Sequence, residues 1–265
     1  MTTFEGKPCV TDAERLRFHQ DGYLVLRDVL DAERLARMNA LAATKERFPA
    51  DATEFRDFFV CRWGADFLSL VDHPRIVAYL DALVGPTFRL DHDYCIFMRS
   101  GTKGRKLHGG EPPFRDFWYK RDPDGTIRAG LTVVTFFLTA ARPGDGGFAL
   151  IPGSHRDNYL ADLPAEARAL RAPPESLIQP AFEAGDAVIF TEALIHGTMD
   201  WRSERSRRVL LYKYCAGHLA WLGDYYDADT FEGVTPLQRR IMRPPYVELI
   251  GGSNGCYRTP TLEDA

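Results

Sequence analysis

The sequence has no long uninterrupted apolar run. None approaches the roughly 20 residues needed to cross a bilayer, which excludes a helical membrane span. Cysteine is scarce: Cys9, Cys61, Cys95, Cys215 and Cys256 are widely spaced, odd in number and never arranged as CxxC. Neither a zinc knuckle nor a disulfide framework is indicated. The stretch Met1 to Arg15 is polar and lacks the apolar centre of a secretory leader. Together these features point to a reducing cytoplasm. An excess of positive charge is also missing. The net charge of −4 gives no global attraction to nucleic acid polymers or an anionic membrane, so the expected partner is a small molecule. With 45% hydrophobic residues, disorder is excluded as a general description. No repeat, low-complexity tract or linker divides the chain, so residues 1–265 read as one domain.

The punctuation of the sequence suggests how that domain is built. Residues 1–86 read as a largely helical flank. Thr11-Asp12-Ala13-Glu14 is a capping-type helix start, and Gly22-Tyr23-Leu24-Val25-Leu26 is β-prone. Asp31 opens an amphipathic helix with Leu35, Met38, Leu41 and Ala42 on one side, and a further helix runs from about Pro74 to Val84 before Gly85-Pro86 stops it. From residue 87 to about 215, short strands alternate with Gly- and Pro-rich turns. They include Phe88 to Met98, Leu131 to Leu138, Phe148 to Pro152, Gly185 to Phe190 and Arg207 to Tyr214. Residues 111–128 read as an insertion or lid, Leu163 to Pro174 as helical and then loop-like, and 216–265 as a C-terminal extension. The pattern predicts a mainly β domain with flanking helices around a closed or double-sheet core.

The order of features from His108 to Tyr214 carries the functional reading. His108 closes a β segment, and a strand–hairpin–strand ends in Pro152-Gly153-Ser154-His155. Gly185-Asp186 introduces the strand before His196-Gly197, and Arg207 and Arg208 follow eleven and twelve residues after His196. With the N-terminal Phe18 to Leu26 and Asp28-Val29-Leu30, this arrangement resembles the phytanoyl-CoA dioxygenase family of iron(II)/2-oxoglutarate enzymes over most of the chain. The resemblance implies a double-stranded β-helix (jelly-roll, cupin-like) core. It also implies Fe(II) held by a facial triad of two His and one carboxylate, with O2 and 2-oxoglutarate as co-reactants. It places His108 and His196 as metal ligands. Arg207 becomes the residue that grips the far carboxylate of 2-oxoglutarate, since a planar guanidinium suits bidentate recognition. Arg208 should face the other side of the strand. Thr135 and Phe136 fall on the strand that lines the cosubstrate pocket in the family, although core packing explains them nearly as well.

One expected residue is absent. In the family the first His and the carboxylate sit two apart, whereas His108-Gly109-Gly110 puts Gly110 where the acid should stand. This departure resembles the halogenating branch of these enzymes, in which the missing carboxylate leaves room for chloride, and within it the halogenases of free nucleotides. The implied reaction chlorinates an unactivated aliphatic carbon after hydrogen abstraction. Alternatively another acid supplies the third ligand, with hydroxylation as the outcome. Glu111 is one candidate, and Asp91, Asp93 and Glu192 are others. A third reading is a metal-free jelly roll that binds a small ligand. Arg99, Lys106, Arg115 and other basic residues are interleaved with aromatics such as Trp118 between positions 99 and 121. With Glu111 and Glu192 they are candidate substrate contacts, and their charge suits an anionic or phosphorylated substrate. The same charges serve a solvated lid equally well. His155 reads as structural, His73 as a helix-start residue before Pro74, His19 as structural or exposed, His218 as a surface residue or an outer partner of the site, and His92 as a false positive for the metal.

Overall fold

The helix starts form as their capping residues dictate. In the computed structural model, which describes residues 3–4, 7–109, 119–157 and 159–247, the Thr11 hydroxyl accepts from the Glu14 N–H at 3.2 Å. The Glu14 carboxylate accepts in turn from the Thr11 N–H at 2.9 Å. This reciprocal pair opens α1 (Asp12–Asp21), which follows two short strands, β1 (Thr3–Phe4) and β2 (Lys7–Pro8). After β3 (Tyr23–Leu26), Asp31 caps α2 (Ala32–Lys45), and Met38 and Ala42 form its buried line. Next come β4 (Glu54–Phe58), the single turn α3 (Ala65–Leu68) and α4 (Pro74–Leu83), whose proline sits in the first turn directly after His73.

The β core runs from β5 (Arg89–Met98) and β6 (Arg105–His108) through the pair β7 (Tyr119–Arg121) and β8 (Ile127–Ala129) to β9 (Leu131–Phe137) and β10 (Gly147–Leu150). After the one-turn helix α5 (Ala165–Arg168) come β11 (Ala187–Thr191), β12 (His196–Met199) and β13 (Arg207–Cys215). Helix α6 (Pro236–Ile241) follows. A six-stranded sheet, ordered β3-β11-β9-β13-β5-β4, faces a three-stranded sheet ordered β10-β12-β6. Their pairings are antiparallel. This is the double-stranded β-helix with flanking helices that the sequence predicts.

Strand alternation divides the interior into two layers. Tyr94, Ile96, Met98, Val133, Val188, Phe190 and Val209 meet Phe148 and Leu150 between the sheets. Their strand neighbours Cys95, Phe97, Val134, Phe136, Ile189, Leu210 and Tyr212 face outward into a second core covered by the helices. Each such aliphatic or aromatic side chain contributes roughly 2 kcal/mol on burial. Covering both faces leaves β5 and β9 buried along their whole length.

Three boundaries differ from the sequence reading. The 1–86 flank supplies both edge strands of the large sheet, β3 and β4. The second half of the 111–128 insertion is a β-hairpin, β7 with β8, in register from Tyr119↔Ala129 to Arg121↔Ile127. Helix within 163–174 is confined to α5, because Pro164 precedes it and Leu170 already adopts φ 57°.

Candidate metal centre and cosubstrate cavity

A cavity of 390 Å³ opens between the sheets, walled by Tyr94, Phe148, Phe190, Leu211 and the side chains described below. His108 ends β6 and His196 begins β12. The two are direct register partners on adjacent strands, and their ring centroids lie 4.2 Å apart. Each imidazole uses Nδ1 on a backbone carbonyl two residues earlier: His108 on Lys106 O at 3.0 Å and His196 on Leu194 O at 2.7 Å. With Nδ1–H donating, Nε2 is the bare nitrogen of each ring, which is how metal-ligating histidines are oriented. Burial and the neighbouring His108 hold the His196 ring down to about 3, so it stays neutral and available as a ligand.

Glu192 stands beside them. It leaves β11 in a turn in which the Leu194 N–H donates to Thr191 O at 3.0 Å, while its own N–H donates to Leu131 O at 3.0 Å. Its Oε2 lies 3.8 Å from His196 Nε2, and its Oε1 forms a buried ion pair with Lys213 Nζ. Burial alone would raise its pKa, but the Lys213 ammonium beside it outweighs that and holds the carboxyl down to about 2. One potential ligand atom from each of His108, Glu192 and His196 lies within 4.8 Å of the others. Among the described residues this is the one group of three or more His, Cys, Asp or Glu side chains so placed.

Arg207 enters the same cavity from β13 and is only 4% exposed. Its Nη1 reaches the Met98 sulfur at 3.2 Å, its Nε has no partner, and no carboxylate among the described residues forms an ion pair with it. Burial pulls the guanidinium down to about 10. Gly147, at φ 91°, makes room for it, since a Cβ there would sit 3.3 Å from the Arg207 Nε. Arg208 points to the other face and pairs with Glu46 at 2.8 Å, as alternation requires.

Thr135 lines the cavity, but Phe136 does not. As the next residue on β9 it faces the outer core, edge-on to Tyr212 at 5.7 Å, so its assignment to cosubstrate binding is corrected. Arg99 is likewise not a cavity residue, for its guanidinium stacks 3.9 Å over Phe48. Asp91 binds Arg89 at 3.0 Å and His92 at 2.7 Å, and Asp93 accepts from the Cys61 N–H at 2.7 Å and from Tyr226. Neither joins the histidine pair, and His92 is occupied by Asp91. Lys106 lines the cavity with Arg56 and Arg105, both of which also contact Glu54. Gly110, Glu111, Arg115 and Trp118 lie outside the described residues. His155 is structural: it contacts His19 O at 3.1 Å and packs edge-on to Tyr119 at 4.5 Å. His218 is exposed.

The sequence reading missed Lys213, although a signal exists. Residues 207, 209, 211 and 213 share one strand face, so a lysine six positions after the cavity arginine points into the same space.

These residues fit a mononuclear iron and a dicarboxylate. Two imidazoles present bare nitrogens, a carboxylate stands beside them, and a buried cation lacks an anionic partner. A jelly-roll fold with this donor set defines the class of mononuclear non-haem iron proteins that use a 2-oxoacid. The chain belongs to the phytanoyl-CoA dioxygenase family, whose sequence pattern it matches over residues 18–209. It is 26% identical over 182 residues to the dioxygenase olcK of Penicillium canescens, a match that takes in 65% of this chain and 55% of that protein. The chain therefore spans only about half the length of olcK. It is 24% identical over 212 residues to the ectoine dioxygenase of Sphingopyxis alaskensis, covering 68% of each. In fold it is similar to HygX of Streptomyces hygroscopicus, solved with nickel and 2-oxoglutarate bound, with a TM-score of 0.71, 20% identity and coverage of 80% of this chain and 89% of HygX.

Proposed function

We propose that the protein is an iron(II)- and 2-oxoglutarate-dependent oxygenase that oxidises an aliphatic carbon of a small anionic molecule. One observation carries this reading: two imidazoles, each with Nδ1 on a backbone carbonyl and Nε2 bare, share a cavity with a buried guanidinium that no carboxylate among the described residues neutralises. Bound iron with O2 and 2-oxoglutarate supplies the oxidation of the C–H bond. One oxygen atom enters the product and the other enters succinate, while carbon dioxide leaves.

His108 and His196 would hold the metal, and Arg207 would grip the far carboxylate of the oxoacid, with its cost of burial offset when the anion arrives. Phe148 and Phe190 pack against the His196 ring at 6.0 and 4.9 Å and keep water from that side of the site. Arg56, Arg105 and Lys106 give the cavity wall the charge to draw in an anionic substrate, a phosphorylated metabolite among the candidates.

A second reading, halogenation, is favoured by Gly110. With no acid two residues after His108, chloride would occupy the position beside the histidines, and a nucleotide would suit the basic wall. Turnover of a candidate anionic substrate with iron(II), 2-oxoglutarate and chloride distinguishes the two. The expected result is stoichiometric succinate and a product that gains one oxygen. A product with the isotope pattern of chlorine would establish the second reading instead, and a failure to release succinate would reject both.

A further inference from the structure

We propose that Glu192 is the third protein ligand of the metal, delivered from the turn between β11 and β12 and not from the position two residues after His108. This assignment rests on the reading of the site as an iron centre.

Geometry is the first support. Adjacent donors around an octahedral ion with bonds of about 2.1 Å sit about 3 Å apart. The Glu192 Oε2 to His196 Nε2 separation is 3.8 Å, and the atoms of the three-residue group span no more than 4.8 Å. Small side-chain rotations close that gap. Only one carboxylate oxygen is engaged elsewhere: Lys213 holds Oε1, leaving Oε2 turned towards the imidazoles. An oxygen fixed by an outer partner while its twin faces the ion is the usual support for a ligating carboxylate.

The backbone is built to place this residue. The Ile195 N–H donates to the Ser154 hydroxyl at 2.8 Å and the Ala193 N–H to the Thr191 hydroxyl at 3.3 Å, so the turn that carries Glu192 is pinned on both sides. Gly109 brings the end of β6 against that turn. A Cβ at position 109 would meet Leu194 O at 2.1 Å and Glu192 O at 3.0 Å, and φ there is 132°. Gly109 therefore has a steric reason of its own to be a glycine.

With an acidic ligand from the turn after β11, the site regains the donor set of two imidazoles and one carboxylate without an acid at position 110. Oxygen transfer is then its expected chemistry.

The test uses the full chain and cobalt(II) as a spectroscopic stand-in for iron, with affinity measured by anaerobic calorimetry and visible absorption. Wild type is expected to bind one equivalent, and Glu192→Gln and His108→Ala each to lose at least about 100-fold in affinity with unchanged circular dichroism. Retention of wild-type affinity by Glu192→Gln would overturn the assignment alone. If that variant does not fold, the crystal structure of the wild-type cobalt complex decides. Glu192 Oε2 at roughly 2.0–2.2 Å from the metal is expected, and an oxygen beyond 3 Å overturns the assignment. A wild-type chain that takes up no cobalt would reject the iron-centre reading itself, a different failure.

Discussion

Lys213 and Glu192 form an ion pair whose side chains are 13% and 9% exposed, and the value of such a pair lies in what happens when one member is lost. Removing the ammonium leaves a buried carboxylate without its ion-pair partner. Lys213→Met is therefore expected to cost about 3–5 kcal/mol in urea unfolding of the metal-free protein. Combining it with Glu192→Gln should recover much of that loss, since the uncompensated charge disappears with the second change. Purely additive losses would show that the two side chains do not act as a pair.

Residues are also where the sequence was easiest and hardest to read. His108, His196 and Arg207 were legible because each sits in a motif whose chemistry allows few substitutes. The facing of Arg208 followed from strand alternation. The orientation of Phe136 was not legible, because β9 is buried on both faces and its two threonines, Thr132 and Thr135, fall on opposite faces and so mark neither as the outside. The role of Glu192 depends on a turn pinned by Ser154 and on the approach of Gly109, contacts between segments far apart in the chain.

Among the elements, the Pro152 to His155 turn acts as a clasp. His155 joins it to α1 through His19 O and to the β7–β8 hairpin through Tyr119, while its Nδ1 is buried without a partner. Burial outweighs the hydrogen bond to His19 O and, with the Arg156 cation adding to it, lowers the folded His155 to about 4 from an ordinary 6.5. The unfolded chain thus binds the proton more readily, and the stability present above pH 6.5 is lost as pH falls from there towards 4. The shift predicts that His155 accounts for about 2 kcal/mol of the stability lost between pH 7 and pH 5. Denaturant melts of wild type and His155→Gln at both pH values check this, because the variant should lack that part of the pH dependence. At this scale the capped helices α1 and α2, the proline-started α4 and the strands β5, β9, β11 and β13 were readable from local pattern. Strand β4 was not, since its half-buried Glu54 to Phe58 alternates weakly and gains its place only by pairing with β5.

For the whole molecule, the two core layers share the six-stranded sheet, so loading the cavity should stabilise both together. Ligand at 100 times its dissociation constant adds about 2.7 kcal/mol, or about 5–10 °C in Tm for a chain of this size. Cobalt(II) and then 2-oxoglutarate are expected to raise Tm in two steps. Arg207→Met should keep the first step and lose the second, while its metal-free form melts no lower than wild type because an unpaired buried charge has gone. Thermal scans by fluorescence read all three quantities. Among the described residues, no helix is long and apolar enough to cross a membrane.

The register that puts His108 opposite His196 has a mechanical side. Among the described residues β6 is the outermost strand of the small sheet, joined only to β12, and that joint is already interrupted by a bulge between His196 and Thr198. An ion held between the two rings would stitch this loosest seam of the barrel shut. The chain would then be sewn shut along the wall of its own cavity, and only while it is loaded.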